Sequence, residues 1–408
     1  MASTNTMATG IVAEYNPFHN GHLYHLQQAK KITGQPVIVV MSGSFMQRGE
    51  PACADKWLRA ELACSQGADL ILELPAVFSL RSAQFFAHGA ISILKACGCV
   101  NYICCGTETS DYDFMEAASA ITTSESQLRL QDKLKQGQSY ATACSELLPQ
   151  LPLQSPNDIL ALEYSKALLG SNITPIFLQR RNAGYNDTTI TGSIASATAI
   201  RKSIHDKNQE WLSSVPKTTA LALQKIIPGY NENLLWQLIC YRLRALTAEE
   251  IAKYCQCSEG LENLLKSAAN APNLAQALSL CTNKRYSTSR IRRLFLQLLM
   301  DKPRNILEQQ NPAYLRVLAF NDNGRTLLKT IKHRGTLPLL TKLGRYPERN
   351  HSQAFGEQLH YECCATDLWS MVQYTPYYNN CGRDYLQSPI YIQSVSYTHL
   401  TLPTILRV

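Results

Sequence analysis

His19 and His22 stand three residues apart with Gly21 between them, directly after an apolar run and an Asn16-Pro17-Phe18 turn. If that turn opens a helix, both imidazoles lie on one face of its first turn. Free backbone N–H groups and the positive end of the helix dipole then sit beside them, which suits an anion. Gly21 lets backbone come close to a phosphate with no side chain in the way. Paired imidazole donors of this kind stabilise charge that builds up at a phosphorus in a transition state. A bare His-x-Gly-His is weak, and two surface histidines near a turn would satisfy it; the strand–turn–helix setting is what favours a phosphate site. A second cluster, Ser196, Thr198 and Arg201, falls where another helix begins. Hydroxyls and a guanidinium there suit the β- and γ-phosphates of ATP. Either hydroxyl by itself reads as an ordinary helix cap.

The elements that must hold these groups follow from periodicity. Apolar runs over 9–16, 36–43, 69–75, 101–108 and 173–180 predict five strands, with helices at about 20–32, 55–66 and 79–97. Asp55 is placed to cap the helix at 55–66. Continuous apolar strands alternating with helices predict an α/β fold, a Rossmann-like parallel sheet covered on both faces. Residues 110–170 read as a helical insertion interrupted by a loop at 151–158, and a helix is expected near Ser196. Beyond about 206 the pattern is helical, over 216–227, 232–245, 247–255, 259–268, 273–281, 288–300 and 324–332, with no strand expected before the tail. The expected division is a nucleotide-binding catalytic domain over 1–205 and a mainly α-helical domain over 206–393. The last residues, 394–408, follow without structural logic and read as a non-native tail, His399 included. Met7 could serve as the start, since the first strand begins almost at once after it.

Composition narrows the function classes. Apolar residues make up 45% of the 408 and charged residues 17%, the balance of a globular chain. No apolar run approaches a membrane span and the first residues do not read as a secretion signal, so a cytoplasmic location without membrane attachment is expected. Cys97, Cys99, Cys104 and Cys105 lack C-x-x-C spacing, and Cys255 and Cys257 have no histidine at ligand spacing; reduced, structural thiols are expected, the adjacent Cys363 and Cys364 included. The net charge is +8, yet residues 281–334 alone hold twelve basic against three acidic side chains, a local excess of +9. A polyanionic partner is the natural reading.

The two phosphate clusters together look like the paired signatures of the HIGH-type nucleotidyltransferase superfamily. A closer likeness runs from about Gly10 to Ile392. "VAEYNPFHNGHLYHL" (12–26), "MSGSFMQRGEPA" (41–52), "DLILELP" (69–75), "SPNDILALEY" (155–164), "QRRNAGYND" (179–187), "KRYSTSRIRRLFL" (284–296), "LRVLAFNDNGRTLLK" (315–329) and "DYLQSPIYI" (384–392) resemble the bacterial tRNA(Met) cytidine acetate ligase family. That resemblance implies an enzyme that activates acetate with ATP as acetyl-adenylate and then acetylates N4 of the wobble cytidine of elongator tRNA(Met). It implies ATP contacts over Val12, Ala13, Glu14, Tyr15, Asn16, Pro17, Phe18, His19, Asn20, Gly21, His22, Leu23, Tyr24 and His25. Further contacts are implied at Gly106, at Asn157 and at Arg180 or Arg181, where this sequence reads Gln-Arg-Arg-Asn and leaves open which arginine acts. Asn186 stands where a histidine is common in the family.

The residues accommodate that chemistry. Acetate is a poor nucleophile and must be held in line with the α-phosphate while charge is neutralised. His19 and His22 as catalytic groups, Arg201 and a Mg²⁺ ion brought with ATP can share the task. Gly106 ends a strand where a side chain would meet adenine or ribose. Asn157 can contact the nucleotide or cap a helix, and Lys56 and Arg59 can face phosphates or solvent. Glu14 can orient a histidine, lie near the metal or pair with Arg48. Lys284, Arg285, Arg290, Arg292 and Arg293 are the candidate tRNA-binding residues; Tyr286 and Phe320 can stack on bases or belong to the core. Two other functions compete: adenylyl transfer to a small phosphorylated metabolite, against which the large basic helical half counts, and RNA binding without catalysis, against which the intact His19, Gly21 and His22 count.

Overall fold

A computed structural model describes residues 6–109, 111–149, 151, 153, 155–180, 190, 192–254, 257, 260–300, 309–345, 352–374 and 381–393. Its centre is the parallel sheet anticipated from the apolar runs. Strands β1 (Ala8–Ala13), β2 (Val37–Ser42), β3 (Leu70–Leu74), β4 (Val100–Thr107) and β5 (Thr174–Gln179) lie in the order β5-β4-β1-β2-β3, all parallel. Period-two alternation splits β2 between two cores: Ile38 and Val40 face one, Val37, Val39 and Met41 the other. Both faces of the central strands are therefore buried, which is why β1, β2 and β3 are mostly apolar, while the edge strand β5 is more open. Helices Asn20–Thr33 and Lys56–Ser65 bury Leu26, Ala29, Trp57 and Ala60 on one face; helix Ala83–Ala96 packs on the other. Asp55 caps the second of these helices, accepting from the N–H groups of Trp57 and Leu58. The insertion forms four helices, Phe114–Ile121, Ser124–Lys135, Tyr140–Leu147 and Pro156–Leu168, with a core of its own around Phe114, Ile121 and Leu162.

The second half departs from expectation. Leu315–Phe320 is a strand, β6, antiparallel to β3, and it carries two short parallel partners, β7 (Leu339–Leu340) and β8 (Ile390–Tyr391). The expectation of no strand beyond 206 fails because LRVLAF is a short apolar run inside a mainly helical pattern, and it finds its partner in β3, far away in sequence. Helix Gln353–Val372 was also not anticipated. Its buried face carries the polar residues Gln358, Glu362 and Thr366 among Phe355, Tyr361, Ala365 and Trp369, so no continuous apolar stripe marks it.

The returning segment is tied down by charge. Lys56 Nζ lies 2.6 Å from Glu73, 3.1 Å from Glu362 and 3.0 Å from Asp384, and Arg316 lies 3.1 Å from Asp384. All five side chains are almost wholly inaccessible. Burial and the neighbouring Glu362 push the Glu73 carboxyl well above its usual range. The expectations for Lys56 and Arg59 are corrected here. Lys56 belongs to this cluster, and Arg59, fully buried, donates to the carbonyls of Ala54, Glu14, Ser42 and Gly43. Neither faces a phosphate or solvent.

Among the described residues no helix is long and apolar enough to cross a membrane, no group of three or more His, Cys, Asp or Glu could hold a metal, and the cysteines are free thiols. Arg181, Asn186, Cys255 and the tail 394–408 lie outside the described residues.

Candidate active site

The histidines are held by the helix they open. His19 is the N-cap of Asn20–Thr33, and its Nδ1 accepts the Gly21 N–H at 3.1 Å. His22, at N3, completes a capping box: its Nδ1 accepts the His19 N–H at 3.3 Å. The rings stack with centroids 3.7 Å apart. With both Nδ1 atoms accepting, each neutral ring carries its proton on Nε2; His19 can donate it outward, while His22 also meets the Pro17 backbone. Neutral they are: burial lowers His19 to about 3, with Arg180 and Arg201 adding to the effect. Burial, followed by His19 itself, holds His22 well below its usual value. A Cβ on Gly21 would come within 2.9 Å of His19 Cε1, so the glycine makes room for the ring as well as for a ligand. Tyr15 packs edge-on against His22 at 4.8 Å and holds a left-handed φ of 45°, which turns the chain out of β1.

A cavity of about 230 Å³ opens over this pair at the ends of β1, β4 and β5. From the first motif, Val12, Ala13, Glu14, Tyr15, Asn16, His19, Gly21, His22, Tyr24 and His25 line it. Pro17, Phe18, Asn20 and Leu23 do not. Phe18 is wholly buried, Leu23 packs against the core, and Asn20 donates to the Ser193 and Ser213 carbonyls at 2.8 and 2.9 Å. Those four shape the loop rather than the cavity.

The second phosphate cluster meets the first. Ser196 caps helix Ala197–His205 by accepting the Ala199 N–H at 3.0 Å, so its ordinary capping role holds, and it lines the cavity beside Thr198 and Arg201. Arg201 donates to the Asn16 carbonyl at 2.8 Å, joining this helix to the histidine loop. At the opposite edge Gly106, Asn157 and Arg180 line the same cavity. Asn157 is not a cap: Ser155 caps Pro156–Leu168, and Asn157 donates to Glu108 at 2.6 Å. Glu108 also lies 3.5 Å from Arg180, and Ser155 donates to it. Sequence reasoning assigned Glu108 no role, although it stands two residues after Gly106. Its position between Asn157 and Arg180 shows what that stretch fixes.

Glu50 was missed in the same way. It lines the cavity with Gln47 and Arg48, lies 3.5 Å from Arg201, and accepts from Arg292 of helix Thr288–Leu299. Gly49, at φ 78°, sits against that helix so closely that a Cβ would be 2.7 Å from both Arg292 Cβ and Arg293 N. Arg293 donates to the Gln47 carbonyl at 3.0 Å. The arginine-rich helix of the second half thus rests on the loop that walls the nucleotide cavity.

Comparison with known proteins decides the family. The HIGH Nucleotidyl Transferase family model matches residues 6–384. A tRNA(Met) cytidine acetate ligase of Acetivibrio thermocellus is 38% identical over 93% of this chain and 99% of its own. One of Halothermothrix orenii is 36% identical over 92% and 97%. The chain belongs to the tRNA(Met) cytidine acetate ligase family of HIGH nucleotidyl transferases. Among solved structures, Thermotoga maritima TmcAL superposes with a TM-score of 0.89 in its apo form, at 31% identity over 95% of this chain and 100% of that one. Its complex with alpha-thio ATP gives 0.86.

Membership in the acetate ligase family bears on the basic segment. Lys284 and Arg285 are exposed and Arg290 is half-buried, its guanidinium 5.0 Å from the Tyr286 ring centroid. Arg292 and Arg293 are turned inward to the Glu50 loop, and Arg316 is buried in the Lys56 cluster. Tyr286 is a core residue, and Phe320 packs on Tyr391 at 5.3 Å, so neither presents a face for bases.

Proposed function

We propose that the chain is an ATP-dependent ligase that activates acetate as acetyl-adenylate and transfers the acetyl group to N4 of the wobble cytidine of elongator tRNA(Met). The observation that carries this reading is the junction at Glu50, where the wall of a histidine-lined nucleotide cavity is also the seat of an arginine-rich helix. An enzyme that only adenylylates a small metabolite has no use for that seat.

Each end of the cavity has a task. Gly106, Asn157 and Arg180 take the adenosine end, with Glu108 setting the last two. His19 and His22 donate from Nε2 to the α-phosphate, where charge grows as an acetate oxygen attacks and pyrophosphate departs. Their depressed pKa values keep them neutral, so they act as hydrogen-bond donors and not as cations. Ser196, Thr198 and the N–H groups of helix Ala197–His205 receive the β- and γ-phosphates together with Arg201. A Mg²⁺ ion brought with ATP would neutralise charge on those phosphates, held chiefly by phosphate oxygens and water. Lys284, Arg285 and Arg290 meet tRNA phosphates, and Arg292 and Arg293 pass that contact to the cavity wall.

ATP–pyrophosphate exchange tests the first half of the reaction. It should require acetate and no other acceptor. Exchange that proceeds without acetate but needs a phosphorylated metabolite would replace this reading with metabolite adenylyl transfer.

A further inference from the structure

The second half-reaction needs a proton acceptor. The exocyclic amine of cytidine is a weak nucleophile because its lone pair is delocalised into the ring, and the amine must lose a proton as it becomes an amide. Few groups in the cavity can take it. His19 and His22 have their Nδ1 atoms committed to backbone N–H groups and present only N–H at Nε2. Burial holds His25 down to about 4, and its Nε2 is sealed from solvent. Glu50 is clamped between Arg201 and Arg292. Glu14 is what remains.

Its placement suits the task. Glu14 follows the last residue of β1, and one carboxylate oxygen accepts the Gln47 N–H at 2.6 Å. Among the described residues the other oxygen makes no hydrogen bond, and the residue is partly open to the cavity. Gln47 belongs to the loop on which helix Thr288–Leu299 rests, so the carboxylate lies on the flank of the cavity nearest the basic helix. The adenosine-end residues Gly106 and Arg180 lie across β1, at β4 and β5.

We propose that Glu14 is the general base of acetyl transfer, taking a proton from the cytidine amine as its nitrogen attacks the acetyl carbonyl carbon. The proposal rests on the reaction assigned above. The new C–N bond forms, the C–O bond to the phosphate breaks, AMP leaves with the electron pair, and the proton stays on the Glu14 carboxyl until solvent removes it. Burial, the largest influence, raises this carboxyl above its ordinary value, with Glu50 acting in the same direction. The Gln47 N–H, Arg201 and Arg48 act against them, and Arg59 donates to the Glu14 carbonyl from below. A raised pKa makes it a stronger base than a solvated carboxylate.

The test is single-turnover transfer. Acetyl-adenylate is formed on the full-length enzyme from ATP and labelled acetate, excess substrate is removed, and tRNA(Met) is added. Per adenylate formed, Glu14→Gln should transfer about 100-fold more slowly than wild type, the scale of a lost general base. Its amide oxygen can still accept from Gln47, so the melting temperature should hold. Glu14→Asp should recover part of the rate. The wild-type rate should rise with pH through the raised carboxyl pKa, and that limb should vanish in Glu14→Gln. Wild-type transfer per adenylate in Glu14→Gln would overturn the proposal, as would equal loss in the Gln and Asp variants. Failure of the wild-type protein to transfer would remove the assigned reaction itself, and this proposal with it.

Discussion

A histidine pair can serve a phosphate only if something fixes both rings with their protons outward. Here the helix does so: the first turn spends two of its orphan N–H groups on the two Nδ1 atoms, and Nε2 is left to donate. The pair and its shared face were legible from the three-residue spacing and the turn before it. The tautomer was not, because it depends on backbone direction at His19, which no residue type encodes. His22→Ala removes one donor and half of the capping box. Acetate-dependent pyrophosphate exchange should fall by about 10²–10³-fold, the usual loss for a donor to a developing charge, while tRNA binding measured by filter retention persists. Exchange within threefold of wild type would remove His22 from the chemistry.

At the scale of elements, the parallel strands could be read because burial on both faces leaves the central ones mostly apolar. β6 and helix Gln353–Val372 could not, since each owes its place to partners distant in sequence. "NDNG" after β6 shows how a family motif can be architectural. Asn321 and Asn323 donate to Asp69 at 3.0 Å, Asn321 caps helix Asp322–Arg334, and Asp69 also accepts the Val37 N–H and pairs with Lys30. Much of the basic excess in this region is likewise structural, Arg316 above all. Lys56 is the hub that joins helix Gln353–Val372 and residue 384 to the sheet. Replacing it by methionine leaves Glu73, Glu362 and Asp384 buried with Arg316 as the remaining cation of the cluster, so Lys56→Met should lower unfolding free energy by about 4 kcal/mol, the cost of breaking a buried ion pair. Urea denaturation measures this. A loss below 1 kcal/mol would mean the cluster contributes little to holding the two parts of the chain together.

Across the whole molecule, charge and chemistry meet at one loop. Residues 47–50 wall the nucleotide cavity on one side and seat the arginines of helix Thr288–Leu299 on the other. In the proposed reading, a substrate gripped by Lys284 and Arg285 would be set against the flank that carries Glu14. This arrangement fits a two-step ligase whose second substrate is a large polyanion. The decisive measurement is nucleoside analysis of tRNA(Met) incubated with the purified protein, ATP and acetate. N4-acetylcytidine should appear, in this tRNA, only when all three are present. If the cytidine stays unmodified while acetate-dependent exchange proceeds, or if acetylation proceeds without ATP, the account is contradicted.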